Sequence, residues 1–237
     1  MEGIALKVRG LAAWVPGLET QAEIGAWARR EQSRLGTNPQ DLIFNEGGGL
    51  PPLDFVPAMQ RRRMTPLSRL AVALAHRLKE DLLPQAKLYF VSLTGESSRQ
   101  LQVNTMVLQD NEILPATFST SVFNTPPAMA SIILGLKNGY AALYPPAKDF
   151  SSALRCAVAP LVAGTRPQVL LIYADARSPD EYQSLDGAQS LSWGFAALLE
   201  TDSSRDSCVD SESIVAAACS PKDLLRHLLE GSHSLPT

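Results

Sequence analysis

Residues 141–155 read AALYPPAKDFSSALR. The apolar run from Ala141 to Tyr144 has the length and composition of a strand. It meets Pro145-Pro146, turns at Ala147-Lys148 and enters a segment for which Asp149 is the expected helix N-cap. Strand, sharp elbow and helix in this order form the repeating unit of α/β folds. The elbow exposes a side chain beside the free N–H groups of the following helix, a favoured place for a nucleophile. Here the tip carries an alanine.

The pattern continues in both directions. Downstream, Phe150 to about Ala159 reads as a helix that Pro160 should end or kink. Gln168 to Tyr173 (QVLLIY) is a continuous apolar run, as in a strand buried on both faces. A polar loop over 174–192, a strand from Phe195 to Leu199, a short strand from Ile214 to Cys219 and a Ser220-capped helix through Leu229 complete the chain. Upstream, Pro126 to Leu136 is a small-residue helix, and residues 115–124 (PATFSTSVFN) are expected to be extended and then turn. Ser97 to Leu108 forms a helix and Lys87 to Leu93 a strand. Leu67, Leu70, Ala71, Leu74, Ala75 and Leu78 recur at helical spacing within a helix over Thr65 to Leu82. Residues 36–57 are irregular, Ala22 to Leu35 is helix-compatible with Thr20 as its cap, and Ile4 to Trp14 is a first strand. Helices alternating with buried strands predict a three-layer α/β/α sandwich in a single domain.

Composition narrows the function. The chain has 237 residues, and 45% hydrophobic content is enough for a substantial core. A charged fraction of 19% is low for a fully solvated surface and hints at a covered face. With a net charge of -3, no field exists to hold nucleic acid or an anionic membrane, and the run Arg61-Arg62-Arg63 is too short to change that. Cys156, Cys208 and Cys219 have no CxxC spacing and are odd in number, so neither a disulfide framework nor a zinc site is expected. No signal peptide or membrane-length apolar run is visible, which predicts a cytoplasmic protein.

No catalytic set emerges from the residues themselves, and no metal site or cofactor is implied. His76, His227 and His233 lie apart in the sequence, and His76 reads as a surface or core-edge residue. Gly47-Gly48-Gly49 lacks the lysine and the strand-helix context of a phosphate cradle. Ser97-Ser98 and Ser151-Ser152 stand at helix starts, where capping suffices. Cys156 lies about two turns into its helix and is expected to pack in the core. Asp175 closes a buried strand at its C-terminal end, where α/β sites gather, yet a loop-stabilising role is the expectation.

Five segments carry a resemblance: AAWVPGL (12–18), RRRMTPLSRLAVALA (61–75), SLTGESSR (92–99), LPATFSTSVFNTPPAMASI (114–132) and VLLIYAD (169–175). In this order they resemble the N-terminal half of a β-ketoacyl synthase, and above all the short chain-length-factor-type subunits of aryl-polyene clusters. The resemblance implies a thiolase-like half fold with a five-stranded mixed sheet over residues 1–204. Residues 205–237 would form a short C-terminal extension ending in a helix and a loose tail. Ala147 then stands where a working ketosynthase has its cysteine, and the second half, which carries the histidine pair of condensing enzymes, is absent or reduced to that extension. Phe123 replaces the histidine of the Ser-Val-His-Asn stretch found in related short subunits.

The implied protein is a non-catalytic subunit that pairs with an active β-ketoacyl-ACP synthase and helps shape its acyl tunnel. It would meet acyl carrier protein indirectly. Candidate tunnel and interface residues are Phe118, Thr120, Phe123, Asn124, Met129, Tyr140, Ala142 and Tyr144. The rival reading is a stand-alone acyltransferase or decarboxylase, which would have to use Ser119, Ser121 or a cysteine without an activating base.

Overall fold

The computed structural model describes residues 5–29, 49–146, 149–185, 188–201 and 209–231. A mixed sheet forms the middle layer. Strand β1 (Ala5–Trp14) runs antiparallel to β5 (Trp193–Thr201), and β5 antiparallel to β4 (Gln168–Asp175). Beyond β4, β2 (Lys87–Val91) and β3 (Tyr140–Leu143) are parallel to it and to each other. These are the five expected strands. A two-residue strand, β6 (Val209–Asp210), pairs with the start of β1, so the order is β3-β2-β4-β5-β1-β6.

Both faces of the central strands are covered, which explains their unbroken apolar runs. On β4 the pleat sends Leu170, Ile172 and Ala174 to one side and Val169, Leu171 and Tyr173 to the other. The first set packs under α3 (Pro66–Arg77) and α6 (Thr125–Leu134), meeting Leu67, Leu70 and Leu74. The second set packs under α7 (Phe150–Val162), with Leu154, Ala157 and Leu161. The helix α1 (Gln21–Arg29) and the C-terminal pair α8 (Ser211–Ala217) and α9 (Pro221–Gly231) share that layer. Ile214, Leu224, Leu225 and Leu228 are fully buried there.

Local chemistry sets the helix ends. Thr65 caps α3 by accepting from the Ser68 amide at 3.0 Å, with Pro66 in the first turn. Thr20 and Glu23 form a reciprocal capping box on α1, the Glu23 carboxylate accepting from the Thr20 amide at 2.9 Å. Gly194 is fixed by packing: a Cβ there would stand 2.5 Å from the Tyr173 carbonyl oxygen on the neighbouring strand.

Several expectations are corrected. Residues 115–119 are not extended but form α5 (Pro115–Ser119), since Pro115 suits a first turn and the Ser119 and Thr120 hydroxyls donate back to the Ala116 carbonyl. The helix after the elbow does not stop at Pro160. Proline falls in its last turn, where the missing N–H costs one bond, and its carbonyl accepts from the Thr165 amide. The stretch from Ile214 is a helix, because Ile214 and Ala218 are buried four residues apart. The helix from Thr65 ends at Arg77 and is followed by a single tight turn at Lys79–Asp81. Cys156 is exposed rather than core-packed, since α7 turns Ala153, Leu154, Ala157 and Val158 inward instead.

Candidate functional site

The parallel strands β2, β3 and β4 end on one edge of the sheet, and the loops leaving that edge gather most of the polar chemistry. Asp175 closes β4 and is fully buried. Its Oδ1 accepts from the Ser92 hydroxyl at 2.5 Å, the Leu93 and Thr94 amides at 3.0 Å and the Thr94 hydroxyl at 2.8 Å. Its Oδ2 accepts from the Tyr173 hydroxyl at 2.5 Å. Burial pushes the carboxyl above its usual range, and the bonds from Ser92, Tyr173 and Thr94 pull against that shift. Burial likewise raises Tyr173, helped by the neighbouring Asp175. Asp175 thus holds the turn after β2, the loop-stabilising role expected of it.

That turn continues through Gly95 to Glu96. Gly95 has a φ of 54°, and a Cβ on it would lie 2.6 Å from the Phe123 ring, so backbone conformation and packing both call for glycine. Glu96 begins α4 (Ser97–Asp110), and its side chain turns away from that helix. It accepts from Thr65 Oγ1 at 2.6 Å and Ser68 Oγ at 3.3 Å, and burial raises its pKa to about 7.

At the elbow, Pro145 is buried and Pro146 exposed; Ala147 and Lys148 lie outside the described residues. Asp149 caps α7, accepting from the Ser152 amide at 3.2 Å and the Ser151 hydroxyl at 2.7 Å. The positive end of this helix is therefore already occupied by the protein's own carboxylate.

Five of the candidate residues come together at β3. Phe123 packs edge-on against Phe90 and Tyr144, with centroids 6.3 and 6.1 Å apart, and Asn124 donates to the Tyr140 hydroxyl at 3.4 Å. Ala142 is half-buried on the same strand. Among the described residues no strand pairs with the far edge of β3. The other candidates separate from this group. Met129 packs into the core beneath α3, Thr120 donates to the Ala116 and Thr117 carbonyls, and Phe118 is 53% exposed. Ser119 and Ser121 donate to backbone carbonyls, with no base in the pairing.

Two features escaped the sequence reading. One is Glu96, which reads as a solvated residue in a polar stretch. The other is the exposed apolar surface of Val107, Leu108, Ile113 and Leu114, which extends past the end of α4. Apolar residues flanking the polar Gln109–Glu112 were the available signal. Among the described residues no group of histidine, cysteine or carboxylate side chains could hold a metal, and no helix is long and apolar enough to cross a membrane.

Residues 27–232 match the sequence model of the family described as beta-ketoacyl synthase, N-terminal domain. A ketosynthase (ApeO) in complex with its chain length factor (ApeC) from Xenorhabdus doucetiae is similar in structure, with a TM-score of 0.68 and 22% identity over 84% of this chain and 80% of that one. The ishigamide ketosynthase/chain length factor gives a TM-score of 0.59 and 12% identity over 98% of this chain and 82% of that one. Ketosynthase twelve of the bacillaene polyketide synthase in Bacillus amyloliquefaciens gives 0.59 and 17%, with 87% of this chain covering 45% of that one. The chain thus spans less than half of that ketosynthase, and the fold is thiolase-like. A search of curated proteins finds no significant match.

Proposed function

We propose that this chain, which belongs to the beta-ketoacyl synthase N-terminal domain family, is a non-catalytic subunit of the chain-length-factor kind. It pairs with an active β-ketoacyl-ACP synthase in aryl-polyene or polyketide-type biosynthesis and helps wall the tunnel in which an acyl chain grows. Acyl carrier protein is met through that partner. The elbow carries this reading. A condensing nucleophile there needs a thiol at a helix start that favours thiolate, and N–H donors for the developing oxyanion. Pro145 and Pro146 supply no N–H, Ala147 supplies a methyl group, and the Asp149 side chain caps the start of α7. The far edge of β3, which has no mate among the described residues and ends beside exposed Tyr144, supports a partner at that seam.

The isolated chain is expected to show neither malonyl decarboxylation nor chain extension, and Ala147→Cys should not rescue either. Turnover by the purified wild-type protein in a carrier-thioester assay would overturn the non-catalytic reading.

Phe118 gives the cleaner test of the tunnel wall, because Phe123 also packs against Phe90, Tyr144 and Gly95. Each added two-carbon unit buries two methylenes, worth about 1.6 kcal/mol. Truncation of a side chain that closes the tunnel therefore shifts the product distribution severalfold towards longer chains rather than only slowing synthesis. Mass spectrometry of products from the reconstituted pair carrying Phe118→Ala reads this directly. An unchanged distribution with the complex intact removes Phe118 from the wall.

A further inference from the structure

Glu96 stands where the starts of two helices meet. It occupies the N-cap position of α4 without capping it; its Oε1 instead accepts from Thr65 and Ser68 at the start of α3. Thr65 meanwhile caps α3, so one hydroxyl serves both the helix start and the carboxyl. The Glu96 residue is 3% exposed. The residue before it, Gly95, is the seat of the Phe123 ring, and Phe123 meets Tyr144 at the end of β3. The other end of the turn is held by Asp175 through Ser92 and Thr94. The Glu96 carboxyl therefore lies at the base of a packed series that reaches β3, whose far edge has no mate among the described residues.

The charged and titratable groups around it come from three elements. Arg99, on its own helix, favours the ionised form. Arg63 and Arg69 flank Thr65 and Ser68 in the chain on the α3 side. Asp175 is the second buried carboxyl, reaching the turn from β4. Desolvation outweighs the two hydroxyls and Arg99.

We propose that Glu96 is a proton-operated latch on the α3–α4 junction. Protonated, it sits neutral between the two hydroxyls and the junction stays closed. Ionised, it leaves a buried charge whose hydrogen-bond partners are two neutral hydroxyls. The junction relieves that charge by opening the turn at Thr94–Glu96, and the seat of Phe123 opens with it; the proton leaves to solvent. The stability contributed by the neutral form is complete below about pH 4.5 and is lost as pH rises through about 7. The bearing of the latch on a partner rests on the function proposed above, but the latch itself is a property of the chain alone.

The test uses the full chain without a partner. Glu96→Gln keeps the shape and removes the charge. Wild type and E96Q should unfold alike at about pH 4. At about pH 8.5 the wild-type unfolding constant should exceed that of E96Q on the order of 100-fold. Amide exchange at Gly95 and Phe123, corrected for intrinsic rates, should rise with pH in the wild type only. Should E96Q fail to fold, carbon-13 titration of the Glu96 carboxyl in the wild type decides the matter. A midpoint near 7 supports the latch. A midpoint in the ordinary carboxylate range, or parallel stability profiles of the two proteins, overturns it. Loss of partner binding with the titration intact would count against the proposed function and not against the latch.

Discussion

A chain cut after Thr201 is expected not to fold. Residues 209–231 are part of the core: Ile214, Val215, Leu224, Leu225, Leu228 and Leu229 are all buried on the α7 face. Each such side chain contributes about 1.5–3 kcal/mol on burial, so their loss removes roughly 10 kcal/mol, against a typical total stability of about 5–15 kcal/mol. The cut also exposes the inner surfaces of α1 and α7, which α9 and α8 cover. Circular dichroism and chemical denaturation of the shortened chain should show no cooperative transition. A milder version, Leu225→Ala, should lower stability by about 2–5 kcal/mol. A shortened chain that unfolded cooperatively at the wild-type midpoint would mean that α8 and α9 are an appendage. The match covers 45% of the bacillaene ketosynthase; here two short helices cover the α7 side of the sheet.

Ala142→Glu is expected to abolish pairing with a ketosynthase while leaving the chain folded. Ala142 sits opposite Phe90 on β3, half-buried, on the strand whose far edge has no mate among the described residues. An obligate seam of this kind buries more than about 2,000 Å² of largely apolar surface. Setting an unpaired carboxylate within it costs about 4 kcal/mol or more, a loss of about a thousandfold in affinity. Co-purification and analytical ultracentrifugation check the complex, and thermal unfolding of the variant alone checks the fold. Normal co-purification would place the seam elsewhere, with the apolar surface around Leu108 and Leu114 the next to test.

The strands were legible because sheet burial marks them locally. A stretch such as QVLLIY has no polar residue to spare after its first, and β4 is covered on both faces. The helices of 115–119 and 211–217 were less legible. In PATFS, hydroxyls bonding back to carbonyls decide the conformation, and nothing in composition announces such bonds. In SESIVAA, β-branched residues suggest a strand, and only packing against the sheet favours the helix. The site divides in the same way. Asp175 could be flagged from its place at a strand end, but its donors Ser92 and Thr94 lie some eighty residues earlier. Glu96 had no flag at all, since its burial arises from the meeting of α3 and α4.

The pairing of β1 with β5 has a consequence for synthesis. Leu6 finds its partner in Thr201 and Trp14 in Gly194, so roughly 180 further residues must be made before the first strand has its main neighbour. At about 5–20 residues per second that wait is roughly 10–40 s. During it β1 is an unmated apolar ribbon on a nascent chain, the kind of segment that aggregates or recruits a chaperone. Long-range pairing of this kind also slows folding. Shelter of residues 5–14 until β5 emerges is therefore the step of synthesis on which this sheet depends most.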